Sequence, residues 1–271
     1  MRIDVLTLFP EVCEPFFSAS ILGRARQSGL VTIACHNIRG WSADPHHKVD
    51  DRPFGGGPGM VMMCQPVFEA VEGLESQGEG AATRVLLTPQ GERLNQRIVE
   101  EFAARKRLIL VAGHYEGFDE RIRSGLSPRE ISIGDYVLSG GEAAAMVLVD
   151  AVVRLIPGAL GDEESVQDES FRMTDAAPRE AGAAGEDESG RRLLEYPQYT
   201  RPRVFRGMEV PEILLGGDHG KIRAWRRAEA LKRTAQRRPD LQAADQNGVE
   251  SYRQARQDEA GVENSHAEQD H

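Results

Sequence analysis

The first 155 residues alternate between short apolar runs and longer, helix-length runs of mixed polarity. The apolar runs predict five strands, at residues 2–9, 31–38, 84–88, 107–112 and 130–137. The longer runs predict five helices, at residues 14–28, 66–76, 92–105, 118–125 and 142–155. Strands separated by helices are typical of βαβ units, and short all-apolar strands suit a sheet that is buried on both faces. We therefore predict an α/β fold with a mostly parallel sheet.

The pattern changes after a first predicted domain of residues 1–160. Residues 161–190 are rich in Ala, Gly, Glu and Asp, which predicts a flexible acidic linker. Residues 191–240 predict a small, mainly helical domain, in which Asp218 can cap a long helix. From residue 241 to 271 the chain is polar and acidic, and we expect a disordered tail there.

The predicted helix after Asp218 has an apolar stripe formed by Ala224, Trp225, Ala228, Leu231 and Ala235. Its arginines fall mostly outside that stripe: Arg223, Arg226, Arg227, Arg233 and Arg237. Such a basic face either contacts RNA phosphates or is simply solvated, and composition leaves both interpretations open.

The formal net charge of −10, taken as a whole, argues against a nucleic-acid partner. The charge is segregated, however. Residues 221–238 carry eight basic residues and one acidic residue, whereas the acidic excess lies mainly in the predicted linker and tail. A local basic patch can therefore still bind RNA.

Two further features bear on location. No run of about 18 apolar residues is present, so we expect no membrane span. The three cysteines, Cys13, Cys35 and Cys64, are odd in number and far apart, which fits neither a disulfide framework nor a metal-ligand spacing. A reducing cytoplasm is the expected location.

Candidate chemistry begins at the strand ends. The predicted strands at residues 107–112 and 130–137 both open on glycine loops before helices, and such strand ends are where open α/β sheets bind ligands. Glycine lets a ligand lie against bare backbone and accepts the positive φ that such bends often need. A third strand ends at Pro89-Gln90-Gly91, so three strand ends can converge on one pocket. Ordinary strand-to-helix turns are the alternative.

Two other motifs have weaker interpretations. Residues 54–60 are rich in glycine, but they lack the Lys-Ser/Thr of a Walker loop and follow no strand. We therefore expect a flexible loop beside a site, and a nucleotide-binding loop is the alternative. Five side chains suggest a metal cluster by type only: Asp44, His46, His47, Asp50 and Asp51. Adjacent histidines in an extended loop point to different sides, so we expect a solvated loop and no metal site.

The strand-end strings are specific. Residues 132–142 (SIGDYVLSGGE) and 113–121 (GHYEGFDER) together closely resemble the cofactor loops of the bacterial tRNA (guanine-N1)-methyltransferases, the TrmD family of knotted methyltransferases. Residues 49–60 and 196–202 are also similar to that family, and the resemblance covers most of the chain.

The resemblance implies a SPOUT-like α/β fold with a deep trefoil knot and a homodimer whose active sites are built from both subunits. The implied reaction is methyl transfer from S-adenosylmethionine to N1 of guanosine 37, next to the tRNA anticodon, with an additional Mg²⁺ requirement left open. Three loops would hold the methyl donor, largely through backbone groups. Their residues are Leu87, Pro89, Gly113, Glu116, Ile133, Gly134, Asp135, Tyr136, Val137, Leu138, Gly140 and Gly141.

The implied chemistry needs a base and a cation. N1 of neutral guanine carries a proton, which a carboxylate should remove, and charge developing on O6 should be met by a cation. Arg154 matches the family arginine for that task. The family places an Asp directly before Ser-Phe, where this chain has Glu169, so Glu169 and its neighbour Asp168 are both candidate bases. Because the base position is altered, a non-enzymatic RNA-binding protein with a degenerate pocket is the alternative of a different class.

Overall fold

The computed structural model describes residues 1–78, 80–161, 169–171 and 192–242. The chain divides into two compact units, Met1–Glu163 and Glu164–His271. Most of the predicted linker and tail lies outside the described residues, so both stay predictions.

The helices and strands have the following bounds. The strands are β1 (Arg2–Thr7), β2 (Thr32–Asn37), β3 (Asp50–Asp51), β4 (Val61–Met62), β5 (Thr83–Arg93), β6 (Arg107–Ala112), β7 (Arg129–Ser132), β8 (Val204–Phe205) and β9 (Met208–Glu209). The helices are α1 (Pro10–Phe17), α2 (Ser20–Gln27), α3 (Cys64–Ser76), α4 (Gln96–Ala103), α5 (Glu120–Leu126), α6 (Glu142–Val153) and α7 (His219–Arg237).

A five-stranded sheet with the order β2-β1-β6-β5-β7 forms the centre of the first unit. Each neighbouring pair in it is parallel. The prediction of an α/β fold with a parallel sheet is confirmed. The short two-stranded pairs β3-β4 and β8-β9 are antiparallel.

The central strand β6 explains why the sequence shows continuous apolar runs. All six of its residues are buried. Leu108 and Leu110 belong to the hydrophobic cluster on one face of the sheet, and Ile109 and Val111 belong to the cluster on the other. Because helices cover both faces, alternation between apolar and polar positions is not required.

The predicted helix at residues 14–28 is wrong in outline, because the chain forms α1 and α2 instead. The first helix begins four residues earlier, with a proline in its first turn, where a missing N–H costs nothing. The second begins at Ser20, whose φ of 50° is not helical. A side chain at Gly23 would collide with the carbonyl oxygen of Ser18, so the break depends on a close approach that periodicity cannot reveal.

Boundaries near the strand ends also differ from prediction. The third predicted strand does not end at residue 88, because β5 continues to Arg93 through an irregularity between Leu87 and Glu92. The following helix starts only at Gln96, where the Asn95 side chain accepts a hydrogen bond from the Ile98 amide at 3.1 Å. The strand predicted to reach residue 137 ends as β7 at Ser132, which leaves residues 133–141 as a loop.

In the second unit, the predicted cap of the long helix is confirmed. The Asp218 carboxylate accepts a hydrogen bond of 3.1 Å from the amide of Lys221. This bond satisfies one of the amides that a helix start leaves without an intrahelical partner.

The predicted apolar stripe on α7 is wrong in part. Trp225 and Leu231 are half-buried, but Ala224, Ala228 and Ala235 are exposed, and the fully buried positions are Ala230 and Thr234. The Thr234 hydroxyl accepts a hydrogen bond of 2.9 Å from the Leu194 amide and donates one of 2.8 Å to the Ala230 carbonyl. The face of α7 that contains Thr234 is therefore buried through a polar contact with the segment around Leu194.

The corrected face divides the arginines of α7. Arg226 and Arg233 are half-buried, so they are the exceptions to the prediction that the arginines lie mostly outside the packed face. The other three, Arg223, Arg227 and Arg237, are exposed.

Candidate functional site

One pocket, of about 210 Å³, lies at the carboxyl ends of β6 and β7 and beside residues 87–89 of β5, where the pairing of that strand is interrupted. Leu87, Gly113 and Ile133 line it, and each stands at or just beyond the point where its strand pairing ends. The three segments singled out by the sequence therefore converge, although the one after Leu87 is an interruption within β5 and not a strand end. This is the position at which open α/β sheets bind ligands.

The loops after β6 and β7 are joined directly. The amide of Gly141 donates a hydrogen bond of 2.8 Å to the carbonyl of Gly113, and His114 and Gly140 form an isolated antiparallel bridge. A Cβ added to Gly141 would lie 2.7 Å from the Cα of Ala112. Gly141 has a φ of −81°, so backbone conformation does not require glycine at this position. Glycine is required there by close approach.

The loop after β7 closes one side of the pocket with apolar side chains. The Tyr136 hydroxyl donates a hydrogen bond of 3.2 Å to the Ile133 carbonyl, and the Tyr136 amide donates one of 3.0 Å to the Gly134 carbonyl. Val137 is 86% exposed and Leu138 is 42% exposed, although both line the pocket. Large apolar side chains held open in this way gain burial when a ligand occupies the pocket.

The residue-level predictions for the cofactor loops can be compared with this pocket. Each of the twelve predicted residues lines it except Asp135. The Asp135 side chain is 85% exposed and pairs with Arg93 at 3.2 Å. The structure thus brings the predicted set together but turns Asp135 outward.

Sequence reasoning missed a polar group beside the pocket. Glu142, the first residue of α6, is buried and accepts a hydrogen bond of 2.6 Å from the hydroxyl of Thr7. Its other oxygen lies 3.6 Å from Nε2 of His114, which lines the pocket. The sequence did carry a signal for Glu142, because an acidic residue at the start of a helix complements the positive end of the helix dipole.

The charge of the pocket is distinctive. Among its described lining residues there is no Lys or Arg, whereas Glu116 contributes a carboxylate. A pocket built in this way suits a cationic ligand better than a phosphate-bearing one.

The glycine-rich loop at residues 54–60 lies beside the pocket. It connects β3 to β4, and the hairpin is held to the loop after β6 by hydrogen bonds from Glu116 to Met60 (3.0 Å) and from Met62 to Gly117 (2.8 Å). Gly59 lies against the Glu116 side chain. Since it joins two strands of a hairpin, the loop is not a phosphate cradle at a helix start.

Comparison with known proteins decides the family. The family model described as tRNA (Guanine-1)-methyltransferase TrmD matches residues 1–244. The chain belongs to the TrmD family. It is 54% identical to the tRNA (guanine-N(1)-)-methyltransferase of Moorella thermoacetica over 244 residues, which cover 90% of each chain. The corresponding protein of Rhodopirellula baltica is 50% identical over 242 residues, 89% of this chain and 93% of the relative. That of Dehalococcoides mccartyi (strain BAV1) is 51% identical over 241 residues, 89% of this chain and 90% of the relative.

The arginine that matches the TrmD family is not at the pocket within one chain. Arg154 is the C-cap of α6, whereas the pocket lies at the opposite, N-terminal end of that helix. The helix has 12 residues, which makes it about 18 Å long. Arg154 does not line the pocket of its own chain.

The candidate bases lie in the second unit. Glu169 is half-buried, and Asp168 lies outside the described residues. The residues after Glu169 are fastened to the chain near Leu193. The amide of Phe171 donates a hydrogen bond of 2.7 Å to the Leu193 carbonyl, and the amide of Glu195 donates one of 3.0 Å to the Ser170 hydroxyl.

The described residues contain no group of three or more His, Cys, Asp or Glu side chains that could hold a metal ion. They also contain no helix that is both long and apolar enough to cross a membrane.

Proposed function

We propose that this chain transfers a methyl group from S-adenosylmethionine to N1 of guanosine 37 in tRNA, beside the anticodon. The observation that carries the proposal is the convergence of three chain segments on one backbone-lined pocket in a chain of the TrmD family. The relatives are tRNA (guanine-N(1)-)-methyltransferases by name, and this chain spans nearly their full length.

The residues of the pocket fit the methyl donor. The apolar side chains of Leu87, Ile133 and Leu138 suit an adenine ring, and backbone groups of the glycine loops suit its polar edge. The carboxylate of Glu116 and the lack of Lys or Arg among the described lining residues suit a ligand with positive charge. The same features disfavour the alternative of a nucleotide phosphate.

The proposed chemistry assigns a proton acceptor. When bound, S-adenosylmethionine supplies a methyl group activated by a positively charged sulfonium. Glu169 accepts the proton that leaves N1 of the guanine, so that the lone pair becomes available during attack. The hydrogen bonds of Ser170 and Phe171 to the Leu193 segment support this choice, because they fasten the chain next to Glu169. Asp168 is the other candidate.

The proposed electrostatic role of Arg154 requires a second subunit. Its guanidinium would stabilise the negative charge that develops on O6 of the guanine. Because Arg154 and the pocket lie at opposite ends of α6, we assign it to the pocket of the other subunit in a homodimer.

A candidate dimer surface supports this assignment. Phe9, Val12 and Phe16 are between 39% and 51% exposed along one side of α1. Val147 is 48% exposed on α6, which packs against α1. Exposed apolar side chains grouped in this way mark interaction surfaces, and a two-fold dimer would bury the same patch on both copies.

The proposal includes the finer expectations of the family resemblance. These are a deep trefoil knot in residues 1–160, a tRNA-binding role for residues 191–240, and a cytoplasmic location without membrane attachment. A Mg²⁺ requirement is tested by adding a chelator to the assay.

The deciding experiment is incubation of the full chain with labelled S-adenosylmethionine and tRNA transcripts that carry G or A at position 37. We expect label in the G37 transcript alone, at N1 by mass spectrometry of the nucleosides. Binding of tRNA without transfer of label would favour the non-enzymatic RNA-binding alternative. Calorimetric titration with S-adenosylmethionine and with ATP separates the proposal from the nucleotide-binding alternative.

A further inference from the structure

A second groove, of about 380 Å³, lies entirely within the second unit and has no role in the proposed reaction. One wall is the extended segment from Tyr196 to Arg203. Leu214, Leu215 and Ile222 form an apolar floor. The volume falls in the range of roughly 300–1,000 Å³ that is usual for ligand pockets.

Tyrosines make part of this groove aromatic. Tyr199 is 49% exposed, and its ring lies 6.5 Å from the ring of Trp225 at an angle of 47°. Trp225 is outside the lining, so it supports Tyr199 from behind. Tyr196 is held differently, because the guanidinium of Arg226 lies 4.6 Å above its ring. Tyr199 is therefore the aromatic residue available to stack with a ligand.

Two exposed arginines stand on the same wall. Arg201 and Arg203 both line the groove. Arg203 lies 3.7 Å from Glu212, but with side chains 61% and 93% exposed this pair contributes little and can exchange for another anion. An aromatic face, an apolar floor and two exposed guanidinium groups together match a base joined to a phosphate.

We infer that this groove binds one nucleotide of the tRNA at a position outside the methylation pocket. The base stacks on Tyr199 above the apolar floor, and Arg201 and Arg203 contact the adjoining phosphate. Stacking of this kind tolerates any base, so the subsite contributes affinity and register on the tRNA. The inference rests on the proposed function, because it takes tRNA to be the substrate.

The test of stacking uses the full chain, a fluorescent tRNA transcript and fluorescence anisotropy. Tyr199→Ala is expected to weaken tRNA binding by about five- to a hundredfold, whereas Tyr199→Phe, which keeps the ring, stays within about twofold of the original chain. Phe205→Ala is the matched control, since Phe205 is an exposed aromatic residue of the same unit outside the groove. Calorimetric binding of S-adenosylmethionine should be unchanged in all three variants.

The test of the phosphate contact is independent of the aromatic ring. Arg201→Gln and Arg203→Gln replace exposed side chains, so both variants should fold. Each is expected to lower the slope of log affinity against log salt concentration by about one. Arg105→Gln is the control. Arg105 is exposed just before the start of β6, whereas the methylation pocket lies at the other end of that strand.

Three outcomes would overturn the inference. Unchanged tRNA affinity and salt slope in both the tyrosine and the arginine variants would exclude the groove. If Tyr199→Ala and Phe205→Ala weaken tRNA binding equally, the effect would not be specific to the groove. Tighter tRNA binding by Tyr199→Ala would mean that the acidic residues beyond 242 occupy the groove instead. If the unaltered chain methylates tRNA while these variants behave like it, the subsite fails and the proposed function stands.

Discussion

The amide of Gly141 donates a hydrogen bond of 2.8 Å to the carbonyl of Gly113, which ties together two loops that are far apart in sequence. The backbone at Gly141 also approaches Ala112 so closely that there is no space for a side chain. Because the pocket is formed by these two loops, its shape depends on backbone contacts that only glycine permits.

Replacing either glycine should therefore damage the pocket. Gly141→Val would bring a branched side chain against the backbone of Ala112, and Gly113→Val would place its Cβ 2.5 Å from the ring of Phe118. We expect each to weaken S-adenosylmethionine binding by about tenfold or more, as measured by calorimetric titration.

Gly161→Val is the control for these variants. Gly161 has no atom within 4 Å of an added Cβ, so cofactor binding should not change. Thermal unfolding shows whether each variant is folded. If folded Gly141→Val and Gly113→Val proteins bind the donor normally, the pocket has been assigned to the wrong place.

The identity of the base is tested at two adjacent carboxylates. Glu169→Gln should abolish most methyl transfer in single-turnover assays while both substrates still bind, because only the proton acceptor is lost. Asp168→Asn should cost far less. The opposite order of activities would transfer the role to Asp168, and full activity in both variants would rule out a carboxylate base.

The basic surface of α7 should contribute electrostatically to tRNA binding. Arg223 and Arg227 are exposed, whereas Arg226 packs on Tyr196 and is better left intact. The double variant Arg223→Gln/Arg227→Gln should weaken tRNA binding and lower the salt slope by about two, with S-adenosylmethionine binding preserved. Neutralising Arg105 and Lys106 should have no such effect. A tRNA affinity that does not depend on salt would contradict this prediction.

The assignment of Arg154 to the opposite subunit predicts complementation. Gly141→Val removes the pocket of one chain, and Arg154→Ala removes the guanidinium of another. In a mixed dimer, the intact pocket of the second chain receives Arg154 from the first, so one of the two sites should be active. Mixing the two inactive proteins after reversible unfolding should restore methyl transfer. No recovery, with mixed dimers present by native mass spectrometry, would place Arg154 at its own pocket.

A buried charge in the first unit predicts pH-dependent stability. Asp4 is fully buried on β1, bonded to Arg2 at 2.8 Å and His36 at 2.9 Å, with the buried Arg107 guanidinium 3.5 Å away. Burial raises the pKa of the Asp4 carboxyl, but hydrogen bonds from His36 and Arg2 outweigh it and hold the pKa below its usual range. A lowered pKa contributes stability that is complete above the unfolded value and is lost as the pH falls through the folded value.

Asp4→Asn should therefore lower the free energy of unfolding at pH 7 by about 3–5 kcal/mol, because the buried Arg107 and the hydrogen-bonded Arg2 would lose the buried carboxylate that they face. The difference from the unaltered chain should shrink as the pH falls below about 4. Urea unfolding at several pH values measures it. A difference independent of pH would show that the carboxylate charge is not responsible.

Local patterns in the sequence were sufficient for several features. Continuous apolar runs predicted the parallel sheet, and β6 has the predicted bounds, because a strand covered on both faces has little freedom in composition. The Asp218 cap was readable because capping is a contact between near neighbours along the chain. The glycine strings at the strand ends predicted that three loops share a pocket, whereas its individual residues, all but Asp135 of which line it, were implied by the resemblance to the TrmD family.

Tertiary contacts decided the rest, because they join positions whose separation in sequence carries no local signal. Cys13 and Cys35 look unrelated in the sequence, yet the fold brings these two free thiols close enough for Cys35 to lower the pKa of the Cys13 thiol. Burial of Thr234 follows from a hydrogen bond to Leu194, and the requirement for glycine at 141 follows from contact with Ala112. Periodicity reports how a residue relates to its own helix or strand, whereas these features depend on which other segment the completed fold brings against it.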